Sequence, residues 1–128
     1  MKFLIPLFFL LVYSCEDKVT DPETAEKSSL LFIASEGNFG AGDGSIEVFR
    51  GDSSLQTINN VGDVVQSIIV YEDDLFVAAN NSHTIKKYDI TENGLALPGI
   101  EVSTNNSGPR EMCVVDNKLY FTNWLTKD

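Results

Sequence analysis

Three short stretches share one pattern: Leu31-Phe32-Ile33-Ala34-Ser35-Glu36-Gly37, Leu75-Phe76-Val77-Ala78-Ala79-Asn80-Asn81 and Leu119-Tyr120-Phe121-Thr122-Asn123. Each opens on leucine followed by an aromatic residue, and successive copies lie 44 residues apart. Short apolar runs that end in turn-prone residues read as strands. The flanks of the second and third copies also agree. Ser67-Ile68-Ile69-Val70-Tyr71 lies over Glu111-Met112-Cys113-Val114-Val115. A polar turn follows each, Glu72-Asp73-Asp74 in one and Asp116-Asn117-Lys118 in the other. Asp and Asn tolerate left-handed backbone and bond their own main chain, which suits a hairpin. Further on, Thr84 to Ile90 matches Ser45 to Arg50, at a spacing of 39 rather than 44. The first copy therefore carries a longer loop, Glu36 to Gly44, where the second has Asn80 to His83. A fourth, outer strand is expected in Ser54 to Ile58 and in Gly99 to Val102.

Beyond the N-terminal leader no apolar pattern is sustained at helical period. The expected fold class is all-β, with four-stranded antiparallel sheets repeating every 44 or so residues. Repeats of that length and strand content are blades of a β-propeller. Residues 30–128 would supply about two blades and the start of a third. The second strand of each blade is expected to be buried on both faces, and the third to alternate. Closing a propeller takes about four or more blades. The chain is therefore expected to be the N-terminal part of a longer one, with self-association of short chains as the alternative.

Gly108-Pro109-Arg110-Glu111-Met112-Cys113-Val114-Val115-Asp116-Asn117-Lys118-Leu119-Tyr120-Phe121-Thr122-Asn123 resembles the YVTN-type β-propeller repeat. That repeat has a Gly-x-Pro start, an apolar strand, an Asp-Gly-type turn and then Leu-Tyr-Val-Thr-Asn. Phe121 stands for the valine, Asn117-Lys118 departs at the turn glycine, and Val65 replaces the proline in the copy from Asp63 to Asn81. Glu36-Gly37-Asn38-Phe39-Gly40, with Gly62-Asp63-Val64-Val65-Gln66-Ser67, is also similar to bacterial cell-surface propeller lipoproteins. The resemblance implies a binding or interaction module for a protein or glycan ligand in the cell envelope. It leaves two alternatives. One is a propeller enzyme, lactonase-like or quinoprotein-dehydrogenase-like, whose active site lies in further blades. The other is a structural envelope protein with no small ligand.

The leader supplies an address. Met1-Lys2 is a short positive start, and Phe3 to Val12 is apolar except for Pro6. That run is about half of what a membrane-spanning helix needs and reads as a secretory signal peptide over residues 1–14. Val12-Tyr13-Ser14-Cys15 resembles the bacterial lipobox, which makes Cys15 the lipidation site. Two or more acyl chains on such a cysteine anchor a protein stably. Residues 15–29 are polar and include Pro22, so they are expected to form a disordered tether. The expected location is the envelope of a Gram-negative bacterium, lipid-anchored on the periplasmic or the surface face of the outer membrane. The membrane is then one partner.

Composition narrows the chemistry. The chain has 128 residues, 19 acidic against 9 basic, and a formal net charge of -10. Its length allows one domain at most. A nucleic-acid phosphate binder needs a clustered basic surface, so no nucleic-acid partner is expected. Two cysteines and one histidine exclude a Cys-rich zinc module and a His-rich metal site. The glycine-rich loop Gly37 to Gly44 lacks the helix and lysine of a phosphate loop, and reads as a flexible blade loop. Within it Phe39 and Asp43 are candidate ligand-facing residues. Glu36 and Asp43 lack the spacing of a calcium loop. Arg110, at the start of a strand, is a third candidate, with a salt bridge to a neighbouring blade as its plainer role. Trp124 is expected in inter-blade packing, Cys113 as a buried inert thiol and His83 as a turn residue. No catalytic group, no metal site and no cofactor is assigned.

Overall fold

The computed structural model describes residues 29–125, all of it strands and connections. The leader, Cys15 and the tether up to residue 28 lie outside the described residues.

Ten strands form three antiparallel sheets in chain order. The first sheet holds β1 (Leu30–Ser35), β2 (Ser45–Arg50) and β3 (Ser53–Ile58), in that order. The second runs β4 (Val65–Tyr71), β5 (Asp74–Ala79) and β6 (Thr84–Thr91). The long edge of β6 is then shared. β7 (Gly94–Leu95) pairs with its far end, and β8 (Ile100–Ser103) pairs with Thr84 to Lys87. The third sheet is the hairpin of β9 (Pro109–Val115) and β10 (Lys118–Asn123).

The repeat seen in the sequence sets these bounds. β1, β5 and β10 each begin and end 44 residues apart, and so do β4 and β9. The hairpin turns behave as their chemistry predicts. Asp116 and Asn117 both take left-handed backbone, with φ of 49° and 57°. In the β4–β5 turn that role falls to Glu72, at φ 53°.

The core lies between the first and second sheets. Side chains alternate across a strand, so β2 sends Ile46 and Val48 inward and Glu47 to solvent. These two meet Leu75 and Val77 of β5, with Ile58, Tyr88 and Leu95 closing the cluster. Gln56 ties the two sheets at their outer side. Its amide donates to the Leu95 carbonyl at 3.0 Å and accepts the Leu95 N–H at 2.7 Å, as a neighbouring strand would.

The strand expected to be buried on both faces is so only in the second sheet. β5 has a sheet packed on each side, and Leu75, Val77, Ala78 and Ala79 are all fully buried. β1 alternates between half-buried and exposed, and β10 is largely exposed. Each has a described neighbour on one face only. For the same reason Cys113, expected to be buried, is exposed on the outer face of the third sheet. The first, second and third sheets have three, five and two strands, where four in each were expected.

Candidate functional site

Antiparallel strands reverse direction at each connection. The connections β1–β2 (36–44), β3–β4 (59–64), β5–β6 (80–83) and β8–β9 (104–108) therefore gather at one end of the sheets. The short hairpin turns gather at the other. The candidate residues Phe39, Asp43 and Arg110 all belong to the loop end.

Backbone hydrogen bonds there repeat as the strands do. Asn80 N–H donates to the Val64 carbonyl at 2.8 Å, and Trp124 N–H to the Gly108 carbonyl at 2.8 Å. Asn81 N–H donates to the Asp63 carbonyl at 3.1 Å, and Leu125 N–H to the Ser107 carbonyl at 2.8 Å. Each pair of bonds is related by the 44-residue offset. Joins between sheets differ where the sequence differs. Val65 N–H reaches the Glu36 carbonyl at 3.2 Å. Pro109 stands at the matching position without an N–H, and the Asn80 side-chain amide instead donates to the Pro109 carbonyl at 3.0 Å. Asn80 is buried, so this bond also satisfies a polar group that would be costly to leave unpaired.

Side-chain hydrogen bonds brace the glycine-rich loop. Asp43 closes it from within: its carboxylate accepts the Asn38 N–H at 2.6 Å and the Asn38 side-chain amide at 2.8 Å. Those bonds favour the ionised form and hold the Asp43 pKa below the usual carboxylate value. Asp63 holds the loop from outside. Its carboxylate accepts the Gly40 N–H at 3.0 and 3.1 Å, and also takes the Asn81 side-chain amide. The Asp63 N–H in turn donates to the Ser82 hydroxyl at 2.8 Å. The backbones pack closely enough here that a Cβ on Gly62 would lie 2.6 Å from that of Ala79.

Phe39 crowns this braced loop and is 81% exposed. It is the most exposed of the large apolar side chains among the described residues. Arg110 stands apart from it, at the start of the third sheet. Its guanidinium lies 4.8 Å over the ring of Trp124, a cation–π contact in place of the expected salt bridge. Trp124 is itself 64% exposed, so it forms the floor of an open platform instead of inter-sheet packing. Between the two patches run Asp63 and the turn Asn80 to His83. His83 sits in that turn with φ 54° and accepts the Gly108 N–H on Nδ1 at 3.1 Å. An imidazole nitrogen that accepts carries no proton, so the proton of neutral His83 is on Nε2.

The structure thus places Phe39 and Asp43 on one loop and Arg110 two sheets away, and does not bring the three together. Asp43 has a bracing role. The residues that organise this end, Asp63, Asn80 and Ser82, were not singled out from sequence. The signal available for Asp63 was its position 44 residues before Ser107, which likewise binds across its loop: its hydroxyl donates to the Asn123 side-chain oxygen at 2.8 Å. Among the described residues no three His, Cys, Asp or Glu side chains converge as metal ligands would. The chain matches no known family model and no curated protein.

Proposed function

We propose that the three sheets are successive blades of a YVTN-type β-propeller. In this reading the protein is anchored in the envelope of a Gram-negative bacterium through acylated Cys15 and acts there as a binding module for a protein or glycan ligand. The observation that carries the reading is the 44-residue repeat, which recurs in strand bounds and in the loop-end hydrogen bonds. Successive sheets also meet in the same sense: β1 lies against β4, and its repeat equivalent β5 lies against β9. A module of this kind holds recognition loops on a rigid frame. The braced loop with Phe39 at its tip is the strongest such element in this chain.

Mass spectrometry of the membrane fraction tests the anchor. The expected species begins at Cys15 and carries acyl mass, and Cys15→Ser abolishes both. A mature chain that begins elsewhere without acyl mass overturns the anchoring. Capture of an envelope glycan or protein, weakened about tenfold by Phe39→Ala, tests the binding role. Burying one aromatic ring contributes about 1.5–3 kcal/mol, so tenfold is the low end of the expected loss. Turnover of lactones, or a retained quinone, would replace the binding role with the enzymatic one.

A further inference from the structure

His83 grips the β8–β9 connection at both of its ends. At the near end its backbone carbonyl accepts the Thr104 N–H at 2.8 Å and the Thr104 hydroxyl at 2.9 Å. At the far end its ring accepts the Gly108 N–H on Nδ1 at 3.1 Å. A peptide carbonyl does not titrate, so the near end is indifferent to mild acid. The far end is not. An imidazole nitrogen accepts only while it carries no proton, and in the charged ring both nitrogens donate.

Gly108 is buried and has left-handed backbone, with φ 62°. The His83 ring is the one acceptor for its N–H among the described residues. Protonating the ring therefore leaves a buried donor unpaired and sets a second N–H against it, which is costly. The bonds that remain are made by carbonyls. The Gly108 carbonyl takes the Trp124 N–H at 2.8 Å, and the Pro109 carbonyl takes the Asn80 side-chain amide at 3.0 Å. They keep the start of β9 against the second sheet without satisfying the Gly108 N–H.

The charged groups around the ring are engaged elsewhere. The turn 80–83 and the connection 104–108 contain no other titratable side chain. The β3–β4 connection contributes Asp63, whose carboxylate takes the Gly40 N–H and the Asn81 amide. β9 contributes Arg110, whose guanidinium lies over Trp124. On β6 and β8, Lys86 and Glu101 pair with each other at 3.1 Å. His83 forms no ion pair among the described residues, so no carboxylate retains the ring once it is charged.

We infer that His83 is a pH-operated tie at the loop end: neutral, it fastens the β8–β9 connection to the second sheet at Gly108, and protonated, it releases that end. The inference rests on the geometry of this one connection. It does not depend on lipidation, on a closed propeller or on a bound ligand.

The test follows backbone amides of the full chain by NMR hydrogen exchange from about pH 8 to about pH 5, the span over which imidazoles titrate. Corrected for the intrinsic rate, protection of the Gly108 amide is expected to fall about tenfold or more, while that of Thr104 stays within about twofold. Ring nitrogen shifts are expected to show Nδ1 without a proton at the upper pH. His83→Asn suits left-handed backbone and does not titrate, so it should remove the pH dependence at Gly108. Gly108 protection that persists through the titration of the ring overturns the inference. So does a proton on Nδ1 at the upper pH, or an unchanged pH dependence in His83→Asn. A parallel loss at Thr104 also overturns it, because the whole connection would then be loosening. The ring shifts and the comparison with Thr104 are read on the native chain, so they decide the matter even where the variant fails to fold.

Discussion

Leu31, Leu75 and Leu119 hold one place in the repeat but meet different amounts of water, so truncating them separates sequence from environment. Leu75 is 0% exposed and Leu31 is 54% exposed. Leu→Ala removes three carbons, worth about 2.4 kcal/mol of transfer at about 0.8 kcal/mol each. At position 75 the walls are Ile46, Val48 and Tyr88, held by strand pairing and unable to collapse fully. A cavity contribution therefore adds to the transfer loss, and Leu75→Ala should cost about 3–4 kcal/mol. With about half of Leu31 already in water, Leu31→Ala should cost about 1 kcal/mol. Urea unfolding followed by far-ultraviolet circular dichroism reads both. For a slope near 1.5 kcal/mol/M the midpoints should fall by about 2–3 M and about 0.7 M. An equal loss at both positions would refute the reasoning, because Leu31 would then have to be covered in solution.

Four further outcomes are expected. Asp63→Ala should lower stability by about 1–3 kcal/mol, since it strips the acceptor from the Gly40 N–H, and hydrogen exchange should rise across Glu36 to Gly44. The Asp43 pKa is depressed from its ordinary value of 3.8 by bonds from Asn38. Its bracing is therefore complete above that pH and is lost as pH falls through the lower, folded value, which the Asn38 amide shift should report in an NMR titration. Arg110→Ala should raise the quenching of Trp124 fluorescence by a soluble quencher and cost about 0.5–1 kcal/mol, with Arg110→Lys nearer to wild type. In a Cys15→Ser background, Cys113 should react with a thiol reagent in the native chain without denaturant.

Strand positions were legible because the sequence states them three times. Leu31, Leu75 and Leu119 mark the start of a strand at one spacing, and the bounds follow to within a residue or two. Only β7 escaped notice. Gly94-Leu95 is too short to show a period, and it is held by the amide of Gln56, which lies 39 positions away in the chain. Burial was less legible, because a strand reports its own alternation but not what packs against it. Cys113 and Leu75 both lie in apolar strands, yet one is exposed and the other has a sheet on either side. The candidate site was legible in part. Phe39 stands out as an aromatic among glycines. Asp63 does not, since nothing local tells an aspartate that braces a distant loop from one that faces water.

The departures from the repeat are where this molecule's individuality lies. Backbone bonds at the loop end are the same in successive copies wherever the residues serve the frame, as at Asn80 and Trp124. The five extra residues of the first loop serve no strand. They nevertheless engage two carboxylates, Asp43 from within and Asp63 from the next connection, to fix a backbone that glycines would otherwise leave free. Ordering such a segment costs about 1–2 kcal/mol per residue in conformational entropy. The tip it presents is an exposed phenyl ring that adds nothing to the core. A loop stabilised in this way, around a side chain that stays in water, is what recognition requires, because the ordering cost is then met before the ligand arrives. The same reasoning separates Phe39 from the other exposed apolar residues. Leu31 and Ile33 lie on a sheet face that the repeat itself accounts for, whereas the ring of Phe39 has no counterpart in the later copies.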